Sequence, residues 1–119
     1  NFSAGANTSI GDGAIIYCLG PVKLGERVTI SQYAHVCAGA HDYTKQQMPL
    51  LRPPITIESD VWIAADAFVG PNVTVGQGAI LGARGAAFVD LEPWTIYRGN
   101  PAVAVKPRRY EGREATPNG

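Results

Sequence analysis

The sequence predicts an all-β fold, in which short strands wind as a solenoid into a triangular prism with parallel sheets for walls. Three observations predict it. Apolar residues recur at every sixth position along most of the chain, the residues between them are rich in Gly, Asp, Asn and Pro, and the pattern repeats internally, with ten blocks of six in 119 residues. On an α-helix, at about 100° per residue, six steps scatter the apolar positions around the cylinder. On a strand, six is an even number and all of them point to one side. A strand too short to bury that side alone must stack on copies of itself, and three such sides close into a coil of about 18 residues.

In chain order, "AGANTS" from Ala4 opens the repeat loosely, followed by "IGDGAI" from Ile10 and "IYCLGP" from Ile16. Val22 and Lys23 form a two-residue insertion, and "LGERVT", "ISQYAH" and "VCAGAH" run on from Leu24. The clearest stretch begins at Ile57, where position one is Ile57, Ile63, Val69, Val75 and Leu81 and position five is Val61, Ala67, Val73, Ala79 and Gly85. Gly, Asp, Asn and Pro between these positions turn the chain after each strand.

Over residues 42–56 the repeat lapses. Met48, Leu50 and Leu51 want an apolar surface, and Pro53 and Pro54 stiffen the return. The segment therefore reads as an ordered, functional loop that packs on a neighbouring subunit. After the last block comes "DLEPWTIYRGNPAVAVKPRR". The expected organisation is one β-helix domain, 1–105, carrying the loop 42–56, and a basic and polar C-terminal tail, 106–119, whose last dozen residues form a short helix or stay disordered.

Composition narrows the partners. The chain is 45% hydrophobic and 17% charged, with no apolar run near the ~18 residues that a membrane span needs. Ten basic and ten acidic residues cancel, so no net field draws it to nucleic acid or anionic lipid. Cys18 and Cys37 are the only cysteines and form no CxxC pair, which suggests two reduced thiols and a cytoplasmic protein. The first residues show neither a basic nor an apolar signal segment, and the missing initiator Met leaves an N-terminal extension open.

The two histidines, His35 and His41, take the sixth place of successive blocks, so they are expected on different corners and cannot easily share one ligand. A catalytic zinc wants three protein ligands, which this pair does not supply, so no metal is expected. His41 stands at the base of the loop. Imidazole is the side chain best suited to take a proton near neutral pH, and the residues alone leave His41 open between that role and a hydrogen-bonded corner residue.

Taken as a set, "GPVKLGERVTIS", "AGAHDYT", "WIAADAFVGPNVTVG", "PWTI" and "GNPA" resemble the left-handed parallel β-helix of the hexapeptide-repeat acyltransferases, over about residues 10–108. Within that family the chain is most similar to the maltose/galactoside type of sugar O-acetyltransferase, and above all to the colanic acid biosynthesis acetyltransferases. The left hand comes from this resemblance, since it runs against the usual crossover rule. The resemblance further implies a homotrimer with active sites between subunits. It implies direct transfer of acetyl from acetyl-CoA to a hydroxyl of a sugar or saccharide intermediate, with His41 as general base.

The resemblance places donor contacts at Ala65 and Ala83, where small side chains let a ligand approach the backbone. It adds Trp62, which either packs on the pantetheine arm or seals the subunit interface. Lys106 and Arg108, with Arg109, either pair with nucleotide phosphates or form a solvated basic tail. Acceptor candidates are Asp12, Tyr17, Asp42 and Tyr43; His35 reads as a partly exposed residue. Two departures stand out: Val103 where relatives carry a basic residue after the "GNPA" turn, and Cys18 where a polar acceptor contact is expected. They keep a second reading alive, a non-catalytic hexapeptide-repeat binding or scaffold protein.

Overall fold

The computed structural model describes residues 1–109 and 111. They form a rod with extents of 51 × 27 × 21 Å. The first coil comprises β1 (Phe2–Ala4), β2 (Ser9–Ile10) and β3 (Ile15–Tyr17), and the second β4 (Val22–Leu24), β5 (Thr29–Ile30) and β6 (His35–Cys37). A two-stranded ribbon, β7 (Ala40–His41) and β8 (Leu50–Leu51), interrupts the winding. The third coil follows as β9 (Ile55–Ile57), β10 (Trp62–Ile63) and β11 (Phe68–Val69), and the fourth as β12 (Thr74–Val75), β13 (Ile80–Leu81) and β14 (Ala86–Ala87). The chain ends with β15 (Thr95–Arg98) and β16 (Val103–Pro107).

Each wall is a parallel sheet: β1-β4-β9-β12, β2-β5-β10-β13-β15 and β3-β6-β11-β14, called walls A, B and C below. The fold is the left-handed β-helix of hexapeptide repeats. Four coils are complete, and a fifth is begun by Leu91, which bridges to Val75 on wall A, and by β15 on wall B. β16 folds back antiparallel on β15, with Lys106 opposite Ile96. That strand runs through Pro107, past residue 105. Of the expected tail, residues 110 and 112–119 lie outside the described residues. No helix among the described residues is long and apolar enough to cross a membrane.

The core is the six-residue pattern made solid. Ile57, Ile63, Val69, Val75 and Leu81 are all 0% exposed, and position-five residues Val61, Ala67, Val73 and Ala79 pack between them. Among the described residues no polar or charged side chain is buried. Corners are turned at position four, where Asn7, Gly13, Arg27, Tyr33, Asp60, Asp66, Asn72, Gly78 and Arg84 all have φ between +54° and +73°. This left-handed conformation swings the corner N–H along the prism axis onto a carbonyl of the preceding coil. Tyr33 N–H donates to Asp12 O (3.1 Å), Asp60 to Glu26 O (2.9 Å), Asp66 to Gln32 O (3.0 Å) and Arg84 to Ala65 O (2.9 Å).

The corner between walls A and B is laced by side chains as well. Arg27 grips the Asp60 carboxylate bidentately at 2.7 and 3.2 Å, and Gln77 Nε2 donates to it at 3.4 Å. The Arg27 hydrogen bond, above all, holds the Asp60 carboxyl below its usual range, against the opposing effect of desolvation.

Two outcomes follow for stability. Ile63→Ala, which empties a fully buried site in the third coil, is expected to cost about 2–5 kcal/mol in urea unfolding. Because the folded-state pKa of Asp60 is depressed, its stabilisation is full above the unfolded carboxylate pKa and is lost as pH falls through the folded value. Asp60→Asn should therefore lower stability at neutral pH and flatten the fall in melting temperature between about pH 4 and pH 2.

Candidate active site

The ribbon begins where wall C ends. Ala40 pairs with Leu51 and His41 with Leu50, so the chain leaves the prism as an antiparallel hairpin instead of turning the corner. Asp42 N–H donates to Pro49 O (2.9 Å), and one Asp42 carboxylate oxygen accepts from the Thr44 N–H (3.1 Å) and the Thr44 hydroxyl (2.5 Å). Such a local Asx bond shapes the tip. Met48 follows with φ +51°, and its carbonyl oxygen lies 2.8 Å from His41 Nδ1.

That contact decides the chemistry of the ring. A carbonyl oxygen only accepts, so Nδ1 must carry the proton and the lone pair of the neutral imidazole sits on Nε2. His41 is exposed, and so are Met48, Leu50 and Leu51, which give the ribbon an uncovered apolar side. Tyr17 reaches the base of the ribbon from the coil below, where its ring lies against Gly39 so closely that a Cβ there would collide with it. Asp42 is committed to Thr44, and Tyr43 at the tip is 84% exposed.

A second feature lies on the opposite edge of wall C, at its corner with wall B. An open cleft of about 550 Å³ is lined by Gln32, Tyr33, Ala65, Asp66, Ala83 and Arg84. Ala65 and Ala83 thus lie together in one cleft. Asp12 stands at the same corner one coil below, its carbonyl holding the Tyr33 N–H. His41 is not at this corner, because the whole of β6 separates it from Gln32 and Tyr33.

The outer faces of walls B and C carry apolar columns. Trp62 is 45% exposed, stands in register with Ile80, and donates its indole N–H to Ser31 Oγ (2.8 Å). His35 stands in register with Ile15 and Phe68 on wall C, with its ring edge-on to Phe68 at 5.4 Å. It is therefore a wall residue, apart from the ribbon that holds His41. Cys18 packs against the core, and Val103 is 60% exposed.

Within the basic cluster, Arg108, left open between phosphate pairing and a solvated tail, donates from one terminal nitrogen to Asp60 O (2.6 Å) and Gly78 O (3.0 Å) and lies over the Trp94 ring at 5.7 Å. Satisfying those carbonyls and covering the indole clamps the end of the chain to the corner column. Arg109, in contrast, shares a shallow cleft of about 370 Å³ with Lys106, Ile96 and Pro107. The contact of Met48 with His41, and Tyr33, escaped the sequence reading. The first runs through the backbone, which has no sequence signature, but an aromatic residue at a corner position was a visible oddity. Among the described residues no group of three or more His, Cys, Asp or Glu side chains gathers as a metal would need.

Comparison with known proteins bears on the fold and the family. No family model matches the chain. It is 39% identical over 99 residues to WcaF of Escherichia coli, a protein named for acetyl transfer in colanic acid biosynthesis, over 83% of this chain and 54% of WcaF. Its fold matches the hexapeptide-repeat acetyltransferase VCA0836 of Vibrio cholerae, solved with acetyl-CoA, with a TM-score of 0.86 at 26% identity, over 92% of this chain and 61% of that one. A maltose O-acetyltransferase of Clostridium difficile superposes with a TM-score of 0.85 at 21% identity, over 92% and 60% of the two chains. The chain spans about half the length of the curated relative WcaF.

The His41 geometry has a direct spectroscopic consequence. At a pH where the ring is neutral, ¹⁵N–¹H correlation should show His41 in its Nδ1–H tautomer, the minor form for a free imidazole. An Nε2–H pattern would mean that the Met48 carbonyl does not hold the ring.

Proposed function

We propose, from the premise that this chain is a homologue of the hexapeptide-repeat acetyltransferases, that it transfers acetyl from acetyl-CoA to a hydroxyl of a sugar or saccharide intermediate. The observation that carries the reading is the His41 Nδ1–Met48 carbonyl bond, which leaves Nε2 as an exposed proton acceptor. His41 Nε2 takes the proton of the acceptor hydroxyl as its oxygen attacks the thioester carbon. Backbone N–H groups stabilise the tetrahedral oxyanion. The carbon–sulfur bond then breaks, and the imidazolium returns its proton to the departing CoA thiolate. Transfer is direct, with no acyl-enzyme.

The donor lies in the cleft at Ala65 and Ala83, where methyl side chains leave the backbone approachable, and Trp62 flanks it on wall B. Lys106 and Arg109 at the end of the prism suit its phosphates. Tyr17, Asp12, Tyr43 and the backbone around Asp42 are the groups nearest to hand for the acceptor.

The cleft and His41 sit on opposite edges of wall C, so one chain does not present both to one thioester. A copy packed alongside with a parallel axis presents its ribbon to the cleft of its neighbour. The outward columns of exposed and half-buried side chains at Trp62 and Ile80, at Ile15, His35 and Phe68, and along the ribbon give such a homotrimer surfaces to bury. The alternative, a β-helix that binds without chemistry, draws on the exposed Val103 and on the engagement of Arg108 with backbone carbonyls, which together thin the charge available to a nucleotide.

The test begins with calorimetry of acetyl-CoA on the wild type and His41→Ala, followed by acetyl transfer to a panel of sugars. Binding by both proteins is expected, with transfer reduced about 10²–10⁴-fold in His41→Ala. No binding by the wild type, or undiminished transfer by the variant, overturns the reading.

A further inference from the structure

We propose that Tyr33 sets the length of the acyl group the donor cleft accepts. The proposal rests on the acetyl-CoA reading above. It starts from the order of residues along the cleft. At position three the column runs Gln32, Ala65, Ala83, each one coil further along the axis, as the corner bonds Asp66 N–H to Gln32 O and Arg84 N–H to Ala65 O establish. At position four it runs Tyr33, Asp66, Arg84, the last two joined by an ion pair at 3.4 Å. The floor is bare where the alanines stand, and it closes at the second coil, where Gln32 and Tyr33 present the larger side chains.

The axial order also gives the cleft a direction. Lys106 and Arg109 lie at the β15–β16 end, beyond the fourth coil, beside Ile96 on wall B and not on the cleft's own corner, so they fix the axial end of a donor that reaches them across that wall. A donor lying along the axis with its phosphates there points its thioester towards Gln32 and Tyr33. Tyr33 and His41 belong to the same coil, since β5, β6 and β7 follow one another without interruption. In the homotrimer proposed above, with its three-fold axis along the prism, rotation leaves axial height unchanged, so a neighbouring copy holds its His41 near the height of Tyr33. The thioester carbon stands at that level, and whatever follows it in the acyl chain runs on to the tyrosine ring.

The ring is placed to stop it. Tyr33 takes φ +60° and lays its ring over Gly13 so closely that even a Cβ at Gly13 would collide with it. The Cδ1–Cε1 side of the ring is spent on that glycine, yet the side chain is 66% exposed and lines the cleft. Tyr17 on Gly39 and Trp94 over Gly78 are further aromatic-on-glycine contacts; of these, Trp94 stands at a corner glycine of positive φ as Tyr33 does, but there Arg108 lies over the ring. Filling a corner accounts for Trp94. It leaves the cleft-facing side of Tyr33 unused.

Dissociation constants for acetyl-, butyryl- and hexanoyl-CoA, measured by calorimetry on the wild type, Tyr33→Ala and Tyr33→Phe, test the proposal. Each protein is scored by its ratio of hexanoyl- to acetyl-CoA affinity, so an overall loss of binding cancels. The wild type and Tyr33→Phe should disfavour the hexanoyl thioester by about tenfold or more, and Tyr33→Ala should remove that gap. Should Tyr33→Ala fail to fold, Tyr33→Leu, which still covers Gly13 with a shorter side chain, is scored in the same way. An unchanged ratio in a folded variant, or equal affinities in the wild type, overturns the proposal and leaves the ring as a corner filler. A wild type that binds none of the three thioesters fells the donor reading itself, before any Tyr33 variant is measured.

Discussion

Strands of two or three residues have too few ladder bonds and too little apolar area to persist alone. In this molecule they persist because each corner residue sends its N–H along the prism axis to a carbonyl one coil below, from Arg27 to Ala6 near the start to Trp94 at Gln77 near the end. The residues that make this bond take a positive φ, a conformation that L-residues ordinarily avoid, at a cost of about 1–2 kcal/mol for a side chain without compensation. Asn7, Asp60, Asp66 and Asn72 tolerate it through short polar side chains, and Gly13 and Gly78 through having none. Arg27 and Arg84 add ion pairs at the corner instead. With the corners fixed, two residues in every six have nowhere to point but inward.

The interior that results is dry and narrow. Ile, Val, Leu and Ala stack in columns with no buried polar side chain among the described residues, so chemistry is confined to corners and outer walls. This explains why the candidate site is assembled from an interruption. A hexapeptide corner offers a backbone turn and one outward side chain, which is too little to fix the tautomer of an imidazole. The hairpin of β7 and β8 supplies a second strand, and Met48 in a left-handed conformation brings a carbonyl to Nδ1. The same hairpin leaves Met48, Leu50 and Leu51 uncovered, so the segment that orients the imidazole also carries an exposed apolar surface.

A rod of stacked coils also imposes an axial order on anything bound to it. Residues at one repeat position form a column, and a long thin ligand lying on the corner meets them in sequence. Tyr33 at the second coil and the cleft at Ala65 and Ala83 belong to such a succession, with the basic residues of the β15–β16 end beside it on wall B.

The six-residue period by itself determined the all-β class, the inward columns from Ile57 to Leu81, the frequency of turns and the place where the winding breaks after His41. These follow from local geometry: side chains alternate along a strand, so an even period settles inside from outside without knowledge of any neighbour. Contacts between coils were decided only by the tertiary structure. The Met48 carbonyl on His41, the departure of Arg108 from the basic cluster to Asp60 and Gly78, and the separation of His41 from the cleft by wall C all depend on residues far apart in sequence or on an irregular backbone. A backbone carbonyl carries no residue-type signal, and Arg108 and Arg109 differ only in which side of an extended chain they occupy. Those choices exist only once the coils have stacked.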